Sequence, residues 1–272
     1  TGQSKRGPWT RYGIKVDVMA GRGAESRVKI QVEQRMGQPV ADITEGGPTS
    51  HYELLVKTGF AGSAKDLPAL QEKATWRLNP LYDPEGYIIA YGILPSIAPA
   101  VNTKLVKPEE EPKSWQELAE PKWKGKIMIQ DPVVSTGAYR LLGYVRYNIF
   151  NEDLLRRLGE QEPRYSTGIQ QEVQLLARGE KPLSVLIGVP DAAASVEEGA
   201  PIKAVSMKEG VVAWEIVAGA VKNSTHPNAS RLFLNWILSK EGQTVNGKLK
   251  RISSVRKDVP DFTPSALRLS PS

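Results

Sequence analysis

Apolar residues along this chain come in short runs that end at a glycine, a proline or a small polar residue, and most of the runs are followed by a stretch with helical spacing. Ile14, Val16 and Val18 alternate with polar residues and predict a strand. A turn at Gly21-Arg22-Gly23 follows. Ala24, Val28, Val32 and Met36 then recur at a spacing of four, which predicts a helix with that face turned inward, stopped by Gly37. Residues 40–44 (VADIT) are the next strand. They run into Glu45-Gly46-Gly47-Pro48-Thr49, and a helix through Leu54 and Leu55 closes at Gly59.

Residues 114–137 carry the same theme further into the chain. A helical turn from Ser114 to Ala119 is stopped by Pro121, and a basic, tryptophan-bearing PKWKGK leads into the apolar run Ile127 to Ile129. Pro132 cannot donate to a sheet ladder and biases Asp131 toward extended backbone, so the strand is expected to end there. Ser135, Thr136 and Gly137 open a helical pattern of Ala138, Leu141, Leu142 and Val145. Further helices are expected from Asn151 as N-cap, with Leu154, Leu155 and Leu158 inside, and from Thr167 as cap to Gly179. LSVLIG (183–188) has the length and composition of a buried parallel strand, and Val189-Pro190-Asp191 start the helix after it. Lys203 to Met207 form an edge strand. Residues 226–243 form one amphipathic helix with Leu232, Trp236 and Leu238 buried. Between these blocks, residues 60–83 read as a loose connection holding Trp76 and Tyr82. Residues 87–103, two extended runs broken by Pro95 and Pro99, and residues 210–223 are long enough to cross between two lobes.

Two lobes fit the length of 272 residues, of which 40% are hydrophobic and 24% charged. No apolar run approaches the roughly 20 residues that span a bilayer, and Thr1 opens no signal segment. With no cysteine, disulfide scaffolds, thiolate metal sites and cysteine nucleophiles drop out together, which fits an oxidising compartment. The net charge of +6 favours anionic partners. Basic blocks with interleaved aromatics are missing, so nucleic acid is not expected as a partner. His51 and His226 are the only histidines, no HExxH, GxSxG or GxxxxGK[ST] element occurs, and GRGAES (21–26) lacks the full GxGxxG pattern. An enzyme is therefore not expected.

SWQELAEPKWKGKIMIQDP, HPNASRLFLNWILSKEGQ and SVRKDVP (254–260) together resemble the iron(III)-type extracellular solute-binding proteins of ABC importers, a broad family that includes ferric-ion, hexose-phosphate and aminoalkyl-phosphonate binders. The resemblance runs from Tyr12 to Pro260. It implies an α/β, two-lobed periplasmic-binding-protein-like fold whose two crossover segments act as a hinge, with residues 1–92 and 218–272 in one lobe and 93–217 in the other. It further implies ligand capture between the lobes and delivery of the solute to a membrane permease with its ATPase. The expected protein is a monomer without a cofactor, periplasmic or otherwise extracytoplasmic, lipid-anchored or free. The chain departs from the family in two places. Its first strand, the following helix, or both are expected to be missing, because about ten residues before the strand at 14–18 are too few for a parallel crossover of a dozen or more. The loop in which ferric binders carry adjacent tyrosines reads Gly188-Val189-Pro190-Asp191-Ala192-Ala193.

Four strand-to-helix loops are then the candidate ligand-binding residues: Gly21, Arg22 and Gly23; Glu45, Gly47 and Thr49; Asp131 with Ser135, Thr136 and Gly137; and Pro190 with Asp191. Helix starts offer unpaired N–H groups and partial positive charge to a carboxylate or phosphate. Against this, Thr49 and Ser135 are equally good helix caps, Gly21 and Gly23 serve to turn the chain, and Asp131 serves to end a strand. Trp76, Tyr82 and Trp214 are apolar walls or core. Without clustered tyrosines, the expected solute is a small anionic organic or phosphorylated molecule held by backbone N–H groups near Gly23, Thr49 and Thr136. The alternatives are ferric iron with a synergistic anion through Tyr139 or Tyr144, or an enzyme or regulatory effector domain on a similar fold.

Overall fold

Each junction between elements falls where apolar residues give way to glycine, proline or small polar residues. The computed structural model describes residues 12–19, 23–131 and 151–268. In chain order its elements are α1 (Gly23–Arg35), β1 (Ile43–Gly46), α2 (Pro48–His51, continued as a π turn over Tyr52–Val56), β2 (Ala61–Gly62), β3 (Ile89–Asn102), β4 (Ile127–Gln130), α3 (Glu152–Gly159), β5 (Arg164–Ser166), α4 (Ile169–Ala177), β6 (Leu183–Gly188), α5 (Val189–Glu197), β7 (Ile202–Ala204), β8 (Val212–Val221), α6 (Pro227–Leu238) and α7 (Lys240–Lys250). The chain divides into two compact units: Thr1–Tyr91, Glu215–Gln243 and Val255–Asp258 form the first, and Gly92–Trp214, Thr244–Ser254 and Val259–Ser272 the second. The long strands β3 and β8 each change unit partway along.

In unit 1, β1 and β2 pair antiparallel with β8, in the registers Ile43 to Ala220 and Ala61 to Val221. Ile30, Leu54, Leu55 and Val221 form an apolar core there. Helix α1 is present and ends before Gly37, whose φ of +67° suits glycine. Its buried face is not the expected one. Val28, Val32 and Met36 are exposed, and the helix is docked by Ile30, by Glu33 accepting from the amides of Val40 and Ala41 at 3.2 Å, and by Gln34 donating to the Lys222 carbonyl at 2.8 Å. Those hydrogen bonds outweigh the hydrophobic stripe in setting the rotation of the helix. The strand expected at residues 14–18 does not form, and the one expected at 40–44 is displaced to Ile43–Gly46.

The tail motif SVRKDVP also has a packing role. Arg256 is 3% exposed, bonded to Asp258 at 2.8 Å and Glu72 at 2.9 Å, and stacked 5.1 Å from the Trp76 ring centroid. The Arg256 guanidinium holds the Asp258 carboxyl below its ordinary value.

In unit 2, β4 lies parallel to both β5 and β6, and β6 and β7 run antiparallel to β3. β4 and β6 are buried at every position, as strands covered on both faces must be. The tryptophan-rich stretch before β4 fills this core: Trp115 and Trp123 join Leu118, Ile127, Leu154, Leu183 and Leu186, and the Trp115 indole donates to the Gly210 carbonyl at 2.9 Å. Asn151 caps α3 as expected, its side chain accepting from Leu154 N at 3.0 Å. Residues 132–150, and the helix expected there, lie outside the described residues.

Four expectations change in detail. Residues 87–103 are one continuous strand rather than two, because the sheet absorbs Pro99, which has no N–H, in a register shift between Ala98 and Ala100. The edge strand expected at Lys203 to Met207 is Ile202–Ala204. Thr167 is not the cap of α4: Gly168 holds that position, and the Thr167 amide and hydroxyl both bond to Gln171. The helix expected over 226–243 breaks at Ser239, whose hydroxyl donates to Trp236 O at 2.7 Å and accepts from Gly242 N at 3.1 Å, starting α7. Its buried residues are Ser230, Leu234, Ile237 and Leu238, while Leu232 and Trp236 are half-buried.

Gly219 in β8 has no room for a side chain. A Cβ there would stand 2.6 Å from the Tyr87 carbonyl oxygen and 2.9 Å from Leu55 Cδ1. Gly219→Ala is expected to cost about 3 kcal/mol through overpacking, measured by urea unfolding. Gly159→Ala, at a position with open space, should be neutral or stabilising by up to about 1 kcal/mol.

Candidate functional site

In unit 1 the candidate loop follows β1. Glu45 is paired in register with Ala218, and the buried Tyr91 phenol bonds to its carboxylate; burial first, then this carboxylate, hold the phenol well above its ordinary value. Gly47 separates β1 from α2, which starts at Pro48 with Thr49 in its first turn. The turn is held from beneath by His51, which is 2% exposed. Its Nε2 lies 2.8 Å from Thr44 Oγ1 and its Nδ1 lies 3.3 Å from the Gly47 carbonyl, which also accepts the His51 amide at 3.1 Å. Burial lowers the imidazole pKa, so the ring is neutral and acts as a brace.

In unit 2, β4 ends where Asp131 N donates to Ser166 O at 2.9 Å. Asp131 and Asp191 follow two parallel neighbours, β4 and β6, at the same end of the sheet. Pro190 and Asp191 are the second and third residues of α5. Gln170 donates to Asp191 Oδ1 at 3.1 Å, and the Asp191 carboxylate also takes its own backbone N–H. Burial raises its pKa. The carboxylate lies against Gly188, where a Cβ would be 2.4 Å from Asp191 Oδ2. With Pro190 lacking an N–H and Asp191 using its own, the start of α5 is an acceptor site more than an anion site.

Gly23 begins α1. Gly21, Arg22, Ser135, Thr136 and Gly137, like Tyr139 and Tyr144, lie outside the described residues. Trp76 is core and Tyr82 is exposed, its phenol bonded to Glu215. Among the described residues, no group of three His, Asp or Glu side chains is placed to hold a metal ion.

Sequence reasoning missed Glu172. This fully buried carboxylate on α4 accepts from Ser184 Oγ at 2.6 Å, from Ser166 Oγ at 3.5 Å and from Gln130, whose amide also donates to Leu186 O at 3.1 Å. It ties β6, β5 and Gln130, the last residue of β4 and the neighbour of Asp131 in the chain, together. Two residues away, Gln170 holds Asp191. The available signal was an acid set among Val173, Leu175 and Leu176, all buried.

Carboxylates and small residues after the strands of an open α/β sheet stand where such sheets hold ligands. The chain belongs to the bacterial extracellular solute-binding protein family, whose model matches residues 40–269. Proteins of this family are the substrate-binding components of ABC transporters and act outside the cytoplasm. A protein of Haemophilus influenzae is 24% identical over 246 residues, 88% of this chain and 69% of that protein. Among solved structures, the periplasmic binding protein AfuA from Actinobacillus pleuropneumoniae, with exogenous fructose-6-phosphate bound, has a TM-score of 0.71 at 22% identity, covering 97% of this chain and 82% of AfuA. Iron-bound HitA from Pseudomonas aeruginosa has a TM-score of 0.75 at 19% identity, covering 96% and 83%. At such identities the shared property is the fold, the two-lobed architecture expected from the sequence.

The two buried braces titrate in opposite senses. Burial pushes Glu172 up to about 7 from its ordinary 4.5, so between these values the native state holds a proton that the unfolded chain has released. Its stabilisation is complete below pH 4.5 and is lost as pH rises through 7, a change of about 3 kcal/mol. His51, lowered by burial, destabilises as pH falls below its ordinary 6.5. In unfolding titrations from pH 4.5 to 7.5, Glu172→Gln should remove the loss of stability toward neutral pH, and His51→Phe should remove the loss toward acid.

Proposed function

We propose that the protein captures a small phosphorylated, polyhydroxylated solute with loops from both units and delivers it to an ABC permease and its ATPase. The observation that carries this reading is the placement of three carboxylates after strands: Glu45 near the end of β1 and just before α2, Asp131 directly after β4, and Asp191 in the first turn of α5 after β6. Carboxylates accept hydrogen bonds from sugar-like hydroxyls, and an ionised carboxylate offers about four acceptor sites. The phosphate needs donors, which the start of α1 at Gly23 and the residues around Thr136 supply in this reading, with Arg22 as the cation. The sugar phosphate bound to AfuA, on the same fold, supports a phosphorylated ligand.

In this reading the lobes expected from the sequence, 1–92 with 218–272 and 93–217, close on the ligand, because a solute that touches both is bound more tightly in the closed form. In the same reading the protein works as a monomer, periplasmic or otherwise extracytoplasmic, lipid-anchored or free, without catalysis and without a cofactor.

Thermal shift tests the ligand class. Fructose-6-phosphate, inorganic phosphate, free fructose and Fe(III) citrate are added separately. A ligand at about 100 times its Kd adds roughly 2.7 kcal/mol of stability. The sugar phosphate should stabilise most, and Asp191→Asn should weaken it about tenfold while leaving inorganic phosphate unchanged. A shift with Fe(III) alone, accompanied by a visible phenolate charge-transfer band, overturns the reading.

A further inference from the structure

Helix α2 faces the core of unit 1 through His51, Leu54 and Leu55, all buried. Away from that face it carries Pro48, Tyr52 and Val56, which form one wall of a cavity of about 350 Å³. Tyr82, Asp83 and Ile88 form the other wall. Small-molecule sites begin at about 300 Å³, so the volume suits a small ligand. Pro48, Val56 and Ile88 make the lining apolar, and Tyr52 and Tyr82 leave 52% and 44% of their surface open. The second wall is fixed before any ligand arrives. Asp83 Oδ1 accepts from the amides of Glu85 at 3.0 Å and Tyr87 at 3.1 Å, and Oδ2 accepts from Ile88 N at 3.0 Å. Tyr82 N donates to Ile88 O at 3.2 Å and Ala90 N to Pro80 O at 2.7 Å, closing the loop on itself. A wall held in this way loses little entropy on binding.

The charges at this cavity have one sign. Asp83 contributes a carboxylate, and the Tyr82 phenol donates to the carboxylate of Glu215. Among the described residues none of the lining side chains is basic. Lys57, next to Val56, is committed to Glu53 at 3.2 Å, and Lys65, beside the Asp83 loop, to Glu85 at 2.9 Å. A phenol that donates to a carboxylate gains electron density in its ring, which strengthens the pull of the ring face on a cation. We propose that the cavity is a second binding site, for a small organic cation that carries a methylated ammonium group. The ammonium stands against the faces of Tyr52 and Tyr82, its methyl groups cover Pro48, Val56 and Ile88, and Asp83 with Glu215 balances its charge. Both carboxylates disfavour an anion here. A primary ammonium needs hydrogen-bond acceptors, and three of the roughly four on Asp83 are already taken by backbone amides. The site uses neither Glu45 nor Gly47 and stands whatever solute the candidate loops hold.

The test titrates three probes against protein labelled in its tyrosine rings, read by NMR and calorimetry: choline, the tert-butyl isostere of choline in which carbon replaces the ammonium nitrogen, and ethanolamine. Choline should bind with a Kd of about 1 mM or tighter and shift the Tyr52 and Tyr82 ring signals, while the isostere and ethanolamine bind at least about tenfold more weakly. Tyr52→Leu and Tyr82→Leu should each weaken choline about tenfold. Tyr52→Phe keeps the ring face and should keep the affinity, which separates loss of the ring from loss of the fold. Glu215→Gln should weaken choline and flatten the dependence of its affinity on salt. Equal affinity for the isostere overturns the proposal, as does the absence of any ring shift at about 10 mM choline. Shifts at Tyr91, the partner of Glu45, in place of Tyr52 and Tyr82 overturn it too, because they put the cation at the candidate loop.

Discussion

A polar side chain with almost no access to solvent, hydrogen-bonded near the end of a strand, sits beside the candidate residues that follow β1 and β4. In unit 1 it is His51, reaching back from the helix to Thr44 and Gly47. In unit 2 it is Glu172, joined to Ser184, Ser166 and Gln130. Leaving such a group unpaired in the interior costs about 1 to 3 kcal/mol, so each brace specifies one geometry for its strand end. The candidate residues Glu45 and Asp131 lie next to strand ends held in this way, while Asp191 is held by Gln170. A loop without such a brace would lose the entropy of ordering at every binding event.

The braces work because the strands around them are pinned by apolar packing. β4 and β6 are buried on both faces, and Trp115 and Trp123 wedge the segment before β4 into the same core as Leu154 and Leu183. Arg256 does the corresponding work in unit 1, where one buried guanidinium gathers Glu72, Asp258 and the Trp76 ring. The guanidinium is buried while both carboxylates reach solvent, so removing the carboxylates strands the one buried charge, a heavier loss than breaking an ion pair exposed on both sides. This gives the motif SVRKDVP a physical reason within unit 1 that is independent of any ligand.

Punctuation in the sequence was legible. Asp131-Pro132, Gly188-Val189-Pro190, Asn151 and Gly37 each mark a boundary that the structure places within a residue or two, because proline, glycine and capping chemistry act locally. Facing was less legible. The rotation of α1 follows from Glu33 and Gln34 meeting backbone groups of residues 40, 41 and 222, contacts that no local period encodes. Glu172 was invisible for the same reason, since its three partners come from three strands separated along the chain. The continuity of β3 through Pro99 depended on a neighbouring strand that accommodates the bulge.

The chemistry of the loops narrows the ligand further than net charge does. A charge of +6 favours anions in general. The start of α5, however, has Pro190 in place of a donor and the Asp191 carboxylate bonded to its own amide. An anion placed there would meet a carboxylate, and like charges at close range are costly. A hydroxyl placed there finds an oriented acceptor already held by Gln170. In the proposed reading, a ligand with its negative charge at one end and hydroxyls at the other matches both the net positive charge and the carboxylates that follow the strands. In that reading, selectivity comes from the acidic loops rejecting a bare anion as much as from the helix starts attracting one.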